Sequence, residues 1–506
     1  MAPADLLRRG RRRRRSVTAC LALATTTTAL QLNTARSPTD IPALNAWLKP
    51  QVPGIGTKVE VAASSTAGWG LVALRSLRRG EVALEVPSSL CVTGASARTR
   101  GPFSDLLAEA EKRAGYSWEP LCGDVSLIAA QVVVLADADD DVWRRCCWSF
   151  SDDDDDEDAG LPFLAEDAAV LENSYSSRSF DALRANADDD FAWLAAHGAL
   201  SCDLATFRRG VAVALSRSFP VAGELVLAPG LDFANHDDYA EDDALETCVS
   251  KRAAVGGFGS KEKPYKIVLT APEEVNKGEE LRVSYGPLPA AAYAETYGFC
   301  PSRGVAKRAS AACELRFDLD PSDRFIDDKR DILETNAEAD GLLGDVVFDD
   351  GIQVCVGNRA DSEAFFDYMR FARLKALNGT DSFLLEPLFS KEIWGFLALP
   401  ISEENERAAL DALADECRAT QAALLKGAKS PPSGGSDAVV ALLERVRDVE
   451  LAALDATLEW IDAEIANLPL KEYYQERRLK DLGLDTEWCA EDAQWSGSRV
   501  PGGVDW

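Results

Sequence analysis

GEELRVSYGPLPAAAYAETYGF, residues 278–299, is the stretch on which the reading of this 506-residue chain turns. It has strand character over Glu280–Tyr285 and holds two Tyr-Gly dipeptides, at Tyr285 and Tyr297. Either tyrosine taken alone is most simply a packed aromatic with a wet hydroxyl. Two other segments carry similar chemical weight. Upstream, Gly68-Trp69-Gly70-Leu71 opens a strand, and glycines there let the backbone turn sharply or approach a ligand closely. Between the two lies PGLDFANH (Pro229–His236), which sets an Asp, an Asn and a His within five residues after a Pro-Gly turn. Singly, each has an ordinary structural explanation: a hairpin turn for the first, a core histidine for the second.

Composition narrows the chemistry. The chain has 54 Lys+Arg against 84 Asp+Glu, a formal charge of −30, and a body so acidic repels phosphate backbones. Nucleic acid is therefore not the expected partner, whereas a basic or lysine-bearing protein segment is. With only two histidines, His197 and His236, there is little room for a His-rich metal site. The twelve cysteines include no C-x-x-C, so free thiols in a reducing compartment are expected and zinc knuckles are not.

The length asks for at least two domains. Residues 1–40 begin Arg-rich and continue Ala/Thr/Leu-rich, the composition of an organelle-targeting segment, and nothing later is apolar enough to span a membrane. Strands are expected at VEVAAS, GLVALRSL and EVALEVP between Val59 and Pro87, and again at Leu225–Leu227 and Lys266–Leu269. Residues 103–218 read as helical, for example Asp105–Ala114, Val125–Ala136 and Leu204–Ser216. The acidic run Asp152–Asp158 interrupts them as a solvated loop. Helical period returns over 361–377 and 383–397, then in two longer helices, Glu403–Lys426 and Asp437–Leu468, the second stopping at Pro469.

Together, G-W-G-L, D-F-A-N-H, V-S-Y-G and E-T-Y-G-F, in that order, resemble the motifs of SET-domain protein methyltransferases. Asp323–Asn336, Asn378–Leu397 and Glu472–Leu484 resemble the C-terminal lobe of one subfamily, the plastid Rubisco large-subunit and fructose-bisphosphate aldolase lysine N-methyltransferases. The resemblance implies an α+β chain. Its expected parts are a targeting segment (1–40), a SET domain of short sheets (41–303) with a helical insertion at about 98–218, an all-α substrate-binding lobe (304–485) and a tail (486–506).

It also implies methyl transfer from S-adenosylmethionine to a protein lysine in the plastid stroma, by a monomer that needs no metal, nucleic acid or membrane. Tyr285 and Tyr297 match the catalytic tyrosines framing the methyl-transfer pore, with Phe299 beside them. Ala67, Gly68, Trp69 and Gly70 match the loop along the methionine part of the cofactor, and Asn235, His236 and Tyr285 match residues on its other side. Arg217 matches an arginine at the cofactor–substrate boundary and Asp232 a position near the incoming lysine. Two residues depart from the pattern: Ala67 stands where an acid is common, and Val221 where an arginine assists the substrate. The alternatives are another stromal or ribosomal target, or a SET-like protein that binds partners without catalysis.

Overall fold

Short apolar strands build the first domain; burial alternates along Val59–Ala63 and Glu280–Val283, whereas Ile267–Thr270 is buried at every position. The computed structural model describes residues 41–64, 69–137, 175–237, 248–254, 264–285, 288–300, 313–323, 325–338, 347–348, 351–356, 363–373, 400–427 and 437–473. Outside them lie the targeting segment, the acidic run Asp152–Asp158, Ala67 and Gly68, the expected helix over 383–397, the tail, and most of the Glu472–Leu484 match.

Helix α1 (Ile41–Leu48) leads to β1 (Val59–Ala63), β2 (Trp69–Ala73), β3 (Val82–Pro87) and β4 (Val92–Thr93). The helical insertion follows as α2 (Gly94–Thr99), α3 (Pro102–Ala114), α4 (Asp124–Asp137), α5 (Tyr175–Ala196) and α6 (Leu204–Arg217). Strands resume with β5 (Ser218–Val221), β6 (Glu224–Leu227), β7 (Asn235–His236), β8 (Val249–Ala253), β9 (Tyr265–Thr270) and β10 (Glu280–Val283), and α7 (Ala290–Tyr297) ends the domain. The strands form three small sheets, ordered β1-β2-β10-β7, β3-β9-β8 and β4-β6-β5.

Local chemistry fixes the helix ends. Thr93 and Ser96 form a reciprocal capping box at α2, and Asp203 Oδ1 accepts from Thr206 N at 2.7 Å to start α6. Gly115, at φ 80°, terminates α3 in the left-handed region where a Cβ is strained. Asp190, on α5, accepts from Leu121 N, Cys122 N and Ser126 Oγ at 2.7–2.9 Å, which secures the turn entering α4.

The second domain contains β11 (Cys313–Asp318), α8 (Ile326–Glu338), β12 (Val347–Phe348), β13 (Gly351–Val356), α9 (Glu363–Arg373), α10 (Glu403–Gly427) and α11 (Asp437–Asn467). The α+β class holds, but this lobe is not all-α: β11, β13 and β12 make a three-stranded antiparallel sheet. Period-two patterning explains it, since Cys313, Leu315 and Phe317 are buried while Arg316 and Asp318 face outward. The last helix stops before Pro469, as expected. α11 ends at Asn467 and a 3-10 turn, Leu468–Leu470, carries Pro469 onward. The expected apolar stripe of α11 is present, with Val439, Leu443, Val446, Leu454, Ile461 and Leu468 all buried.

Helix α7 joins the two domains because its faces differ. Ala290, Ala291 and Ala294 sit in the core of the second domain, whereas Tyr293 and Tyr297 sit in that of the first. Small residues on one side let the lobe pack close to the helix backbone, and large aromatics on the other fill the first domain's centre. Val221, too, is buried in that first core.

Candidate active site

One sheet brings the three motifs together. β10 pairs antiparallel with β2 (Glu280 opposite Val72, Leu281 opposite Leu71) and parallel with β7 (Arg282 opposite Asn235, Val283 opposite His236). Residues separated by more than two hundred positions thus become neighbours. The approach to β7 is set by Gly230 at φ 86°, whose N–H donates to Asp232 Oδ1 at 2.7 Å and leads into the 3-10 turn Leu231–Phe233.

Tyr285, just past β10, is fully buried. Its backbone N–H donates to His236 Nδ1 at 3.1 Å and its hydroxyl donates to the carbonyl of Ala234 at 3.1 Å. Because His236 Nδ1 accepts, that ring carries its hydrogen on Nε2. The Tyr285 and Tyr297 rings lie 5.0 Å apart, and Phe299 stands 6.1 Å from the first and 6.2 Å from the second. His236 completes the cluster, 4.8 Å from Tyr285 and 5.7 Å from Phe299. Burial, reinforced by Tyr297, Glu280 and Tyr293, pushes the Tyr285 phenol well above its ordinary pKa, and the charge of Arg217 opposes the rise. The phenol is therefore protonated at neutral pH.

Arg217 and Asp232 meet in a buried ion pair, Nη1 to Oδ2 at 3.1 Å, with side chains 9% and 0% exposed. The guanidinium also sits 5.3 Å above the Phe233 ring. Burial pushes the Asp232 carboxyl up, and Arg217 counters it. On this and adjoining segments, Ser216 Oγ, Arg217 Nε, Ser218 Oγ and Asn235 Oδ1 are buried with no hydrogen-bond partner among the described residues. Buried polar atoms are costly when unpaired, and those of Arg217 and Asn235 fit a polar ligand that completes their bonding.

Of the residues expected from sequence, the structure gathers Trp69, Gly70, Asn235, His236, Tyr285, Tyr297 and Phe299, and pairs Arg217 with Asp232. Ala67 and Gly68 lie outside the described residues. Sequence reasoning missed Tyr293, whose ring is 5.2 Å from His236 and 6.0 Å from Tyr297. Its position four residues before Tyr297 on a helix was the available signal. It also missed Glu280, whose carboxylate accepts from the Asn235 amide. Among the described residues no group of three or more His, Cys, Asp or Glu is arranged to hold a metal, and no helix is long and apolar enough to cross a membrane. The seven described free thiols are mostly buried, and burial pushes Cys91, Cys248 and Cys417 up to about 12.

A strand-built site closed by a parallel β7–β10 pair, joined through α7 to a C-terminal lobe, corresponds to two family models: SET domain over residues 68–286 and Rubisco LSMT substrate-binding over 320–426. The chain is a SET-domain protein with a Rubisco LSMT substrate-binding domain. It is 28% identical over 475 residues to the chloroplastic Rubisco large subunit N-methyltransferase of Pisum sativum, covering 89% of this chain and 87% of the relative. It is 29% identical over 458 residues to the chloroplastic fructose-bisphosphate aldolase-lysine N-methyltransferase of Arabidopsis thaliana, covering 87% and 86%. The solved structure of the SET domain of LSMT bound to lysine and AdoHcy superposes with a TM-score of 0.65 at 23% identity, over 88% of this chain and 96% of that one. Rubisco LSMT bound to AdoMet gives 0.63 at 24%, over 88% and 97%. At those identities the structural likeness is one of fold.

Proposed function

We propose that the Tyr285 cluster transfers a methyl group from S-adenosylmethionine to the ε-amine of a lysine in a plastid protein, with Rubisco large subunit or fructose-bisphosphate aldolase as the substrate. The observation that carries this reading is the β2-β10-β7 pairing, which brings Gly70 close to Asn235 and lets the Tyr285 N–H donate to His236. It is supported by relatives that are named as chloroplastic lysine methyltransferases.

S-adenosylmethionine, when bound, supplies a methyl group activated by its sulfonium. Trp69 and Gly70, continuing from Ala67 and Gly68, would lie along its methionine part, and Asn235 and His236 would hold it from the other side. The unpaired Asn235 Oδ1 and Arg217 Nε fit such a polar ligand. Tyr285 commits its hydroxyl hydrogen to the Ala234 carbonyl, so its oxygen presents lone pairs and can accept an amine N–H. Tyr293, Tyr297 and Phe299 wall the site with rings and exclude water. A lysine with an ordinary pKa near 10.4 is driven toward its neutral, nucleophilic form by such burial. Holding amine and methyl carbon in line can remove about 7–11 kcal/mol from a barrier in favourable cases. Asp232 is tied to Arg217 and to the Gly230 N–H, so it shapes the lysine side of the site and is not a free base.

The test is direct. The full chain, incubated with methyl-labelled S-adenosylmethionine and either purified Rubisco or purified aldolase, is followed by peptide mass spectrometry. Label on a lysine of one of them is expected. Label on neither, with label on another stromal protein, would keep the reaction and replace the substrate.

A further inference from the structure

We infer that Glu280 is a positioning residue that fixes the Asn235 amide for methyl-donor binding, an inference that rests on the methyl-donor reading above. Glu280 opens β10, and its side chain is only 5% exposed. Oε1 accepts from Asn235 Nδ2, while Oε2 accepts from Ser64 Oγ at 2.7 Å and from Arg282 Nε at 3.2 Å. The other Asn235 amide hydrogen goes to the Trp69 carbonyl at 3.3 Å.

A carboxylate and a carbonyl both only accept, so the amide nitrogen must face them. Oδ1 is thereby turned the other way, where it is buried and has no partner among the described residues. The terminal torsion of an asparagine is roughly two-fold, so nothing intrinsic to Asn235 selects this orientation. With Glu280 gone, only the Trp69 carbonyl would resist a flip, and a flip would aim N–H groups where an acceptor now waits. Ser64 and Arg282 in turn hold the carboxylate still.

The same carboxylate explains the second glycine of Gly68-Trp69-Gly70. A Cβ on residue 70 would fall on Glu280 Oε1 and come within 3.0 Å of Asn235 Nδ2. Glycine is required at position 70 because the Glu280–Asn235 clamp lies against its backbone. One side chain therefore ties the opening glycine motif to the asparagine–histidine motif, from the strand that leads to Tyr285.

The test is calorimetric titration of S-adenosylhomocysteine into the full chain, in wild type, Glu280→Met, Glu280→Gln, Asn235→Ala and the double variant Glu280→Met/Asn235→Ala. Glu280→Met, similar in size but without an acceptor, should weaken binding about tenfold, the scale of one hydrogen bond. Glu280→Gln, whose carbonyl can still accept from Asn235, should restore it to within about threefold of wild type, the part of one hydrogen bond that is retained. In the Asn235→Ala background, Glu280→Met should cost nothing further, because Glu280 acts through that amide. Equal losses in both backgrounds, or wild-type binding by Glu280→Met, would overturn the inference while leaving the methyl-donor reading intact. A wild-type chain that takes up no S-adenosylhomocysteine would overturn both. Circular dichroism checks folding; if Glu280→Met does not fold, Glu280→Asp, one methylene short of Asn235, carries the same expectation.

Discussion

The rings of Tyr285 and Tyr297 stand 5.0 Å apart at 55° although one residue follows a strand and the other ends a helix. Both are buried, and the hydroxyl of Tyr285 donates to the backbone carbonyl of Ala234. Tyr285→Phe keeps the ring and removes that oxygen. Turnover should fall about 10²-fold, the cost of a mispositioned reactant, while the dissociation constant for S-adenosylhomocysteine stays within about threefold, since cofactor contacts other than one hydrogen bond are kept. Steady-state kinetics and calorimetry check it; equal losses in both would place Tyr285 in cofactor binding alone.

Helix α7 contributes to both cores. Ala294 is fully buried against the second domain, one position from Tyr293 and three from Tyr297. Ala294→Phe should destabilise by about 1–3 kcal/mol through overpacking. It should also lower turnover, because the two tyrosines share the displaced helix. Urea unfolding and kinetics measure the two effects; full activity in a destabilised variant would show that the lobe and the cluster are uncoupled.

The buried Arg217–Asp232 pair gives a third expectation. Arg217→Met strands the Asp232 carboxylate and should cost about 3–5 kcal/mol in denaturant unfolding. Adding Asp232→Leu should recover most of that loss without restoring turnover. If the double variant is no more stable than the single, the cost did not come from the stranded charge.

Asp190 makes stability depend on pH. Burial raises its carboxyl to about 6, even though three hydrogen bonds pull the other way. A folded-state pKa above the unfolded value means that the stabilising share is complete below about pH 4 and is lost as pH rises through about 6. The difference in unfolding free energy between wild type and Asp190→Asn should therefore shrink, or reverse in favour of the variant, between pH 4.5 and 7. A difference that grows with pH would contradict this reading. Titration of the other carboxylates is common to both proteins and cancels in the comparison.

Much of this was legible in the sequence where a strong period or an unusual cluster marked it. Helices α3, α4, α6, α10 and α11 follow apolar repeats long enough to be unambiguous. Strands β1 to β3 follow alternation between glycine-bearing turns. The sheet of the second domain was not legible, because Gly351–Val356 is six residues long and Val347–Phe348 only two. Such short runs do not separate strand from buried helix by period alone. Tyr285, Tyr297, Asn235 and His236 stood out by residue type. Glu280 did not, because an acid on a short strand looks like a solvent-facing residue until the register of β10 between β2 and β7 turns it inward onto Asn235.

Lysine methylation by this chain is checked by mass spectrometry of a stromal extract incubated with the full chain and methyl-labelled S-adenosylmethionine. Labelled methyl groups are expected on lysine side chains of a stromal protein, sharply reduced with Tyr285→Phe. A chain that binds S-adenosylhomocysteine yet leaves no label on any protein would contradict it.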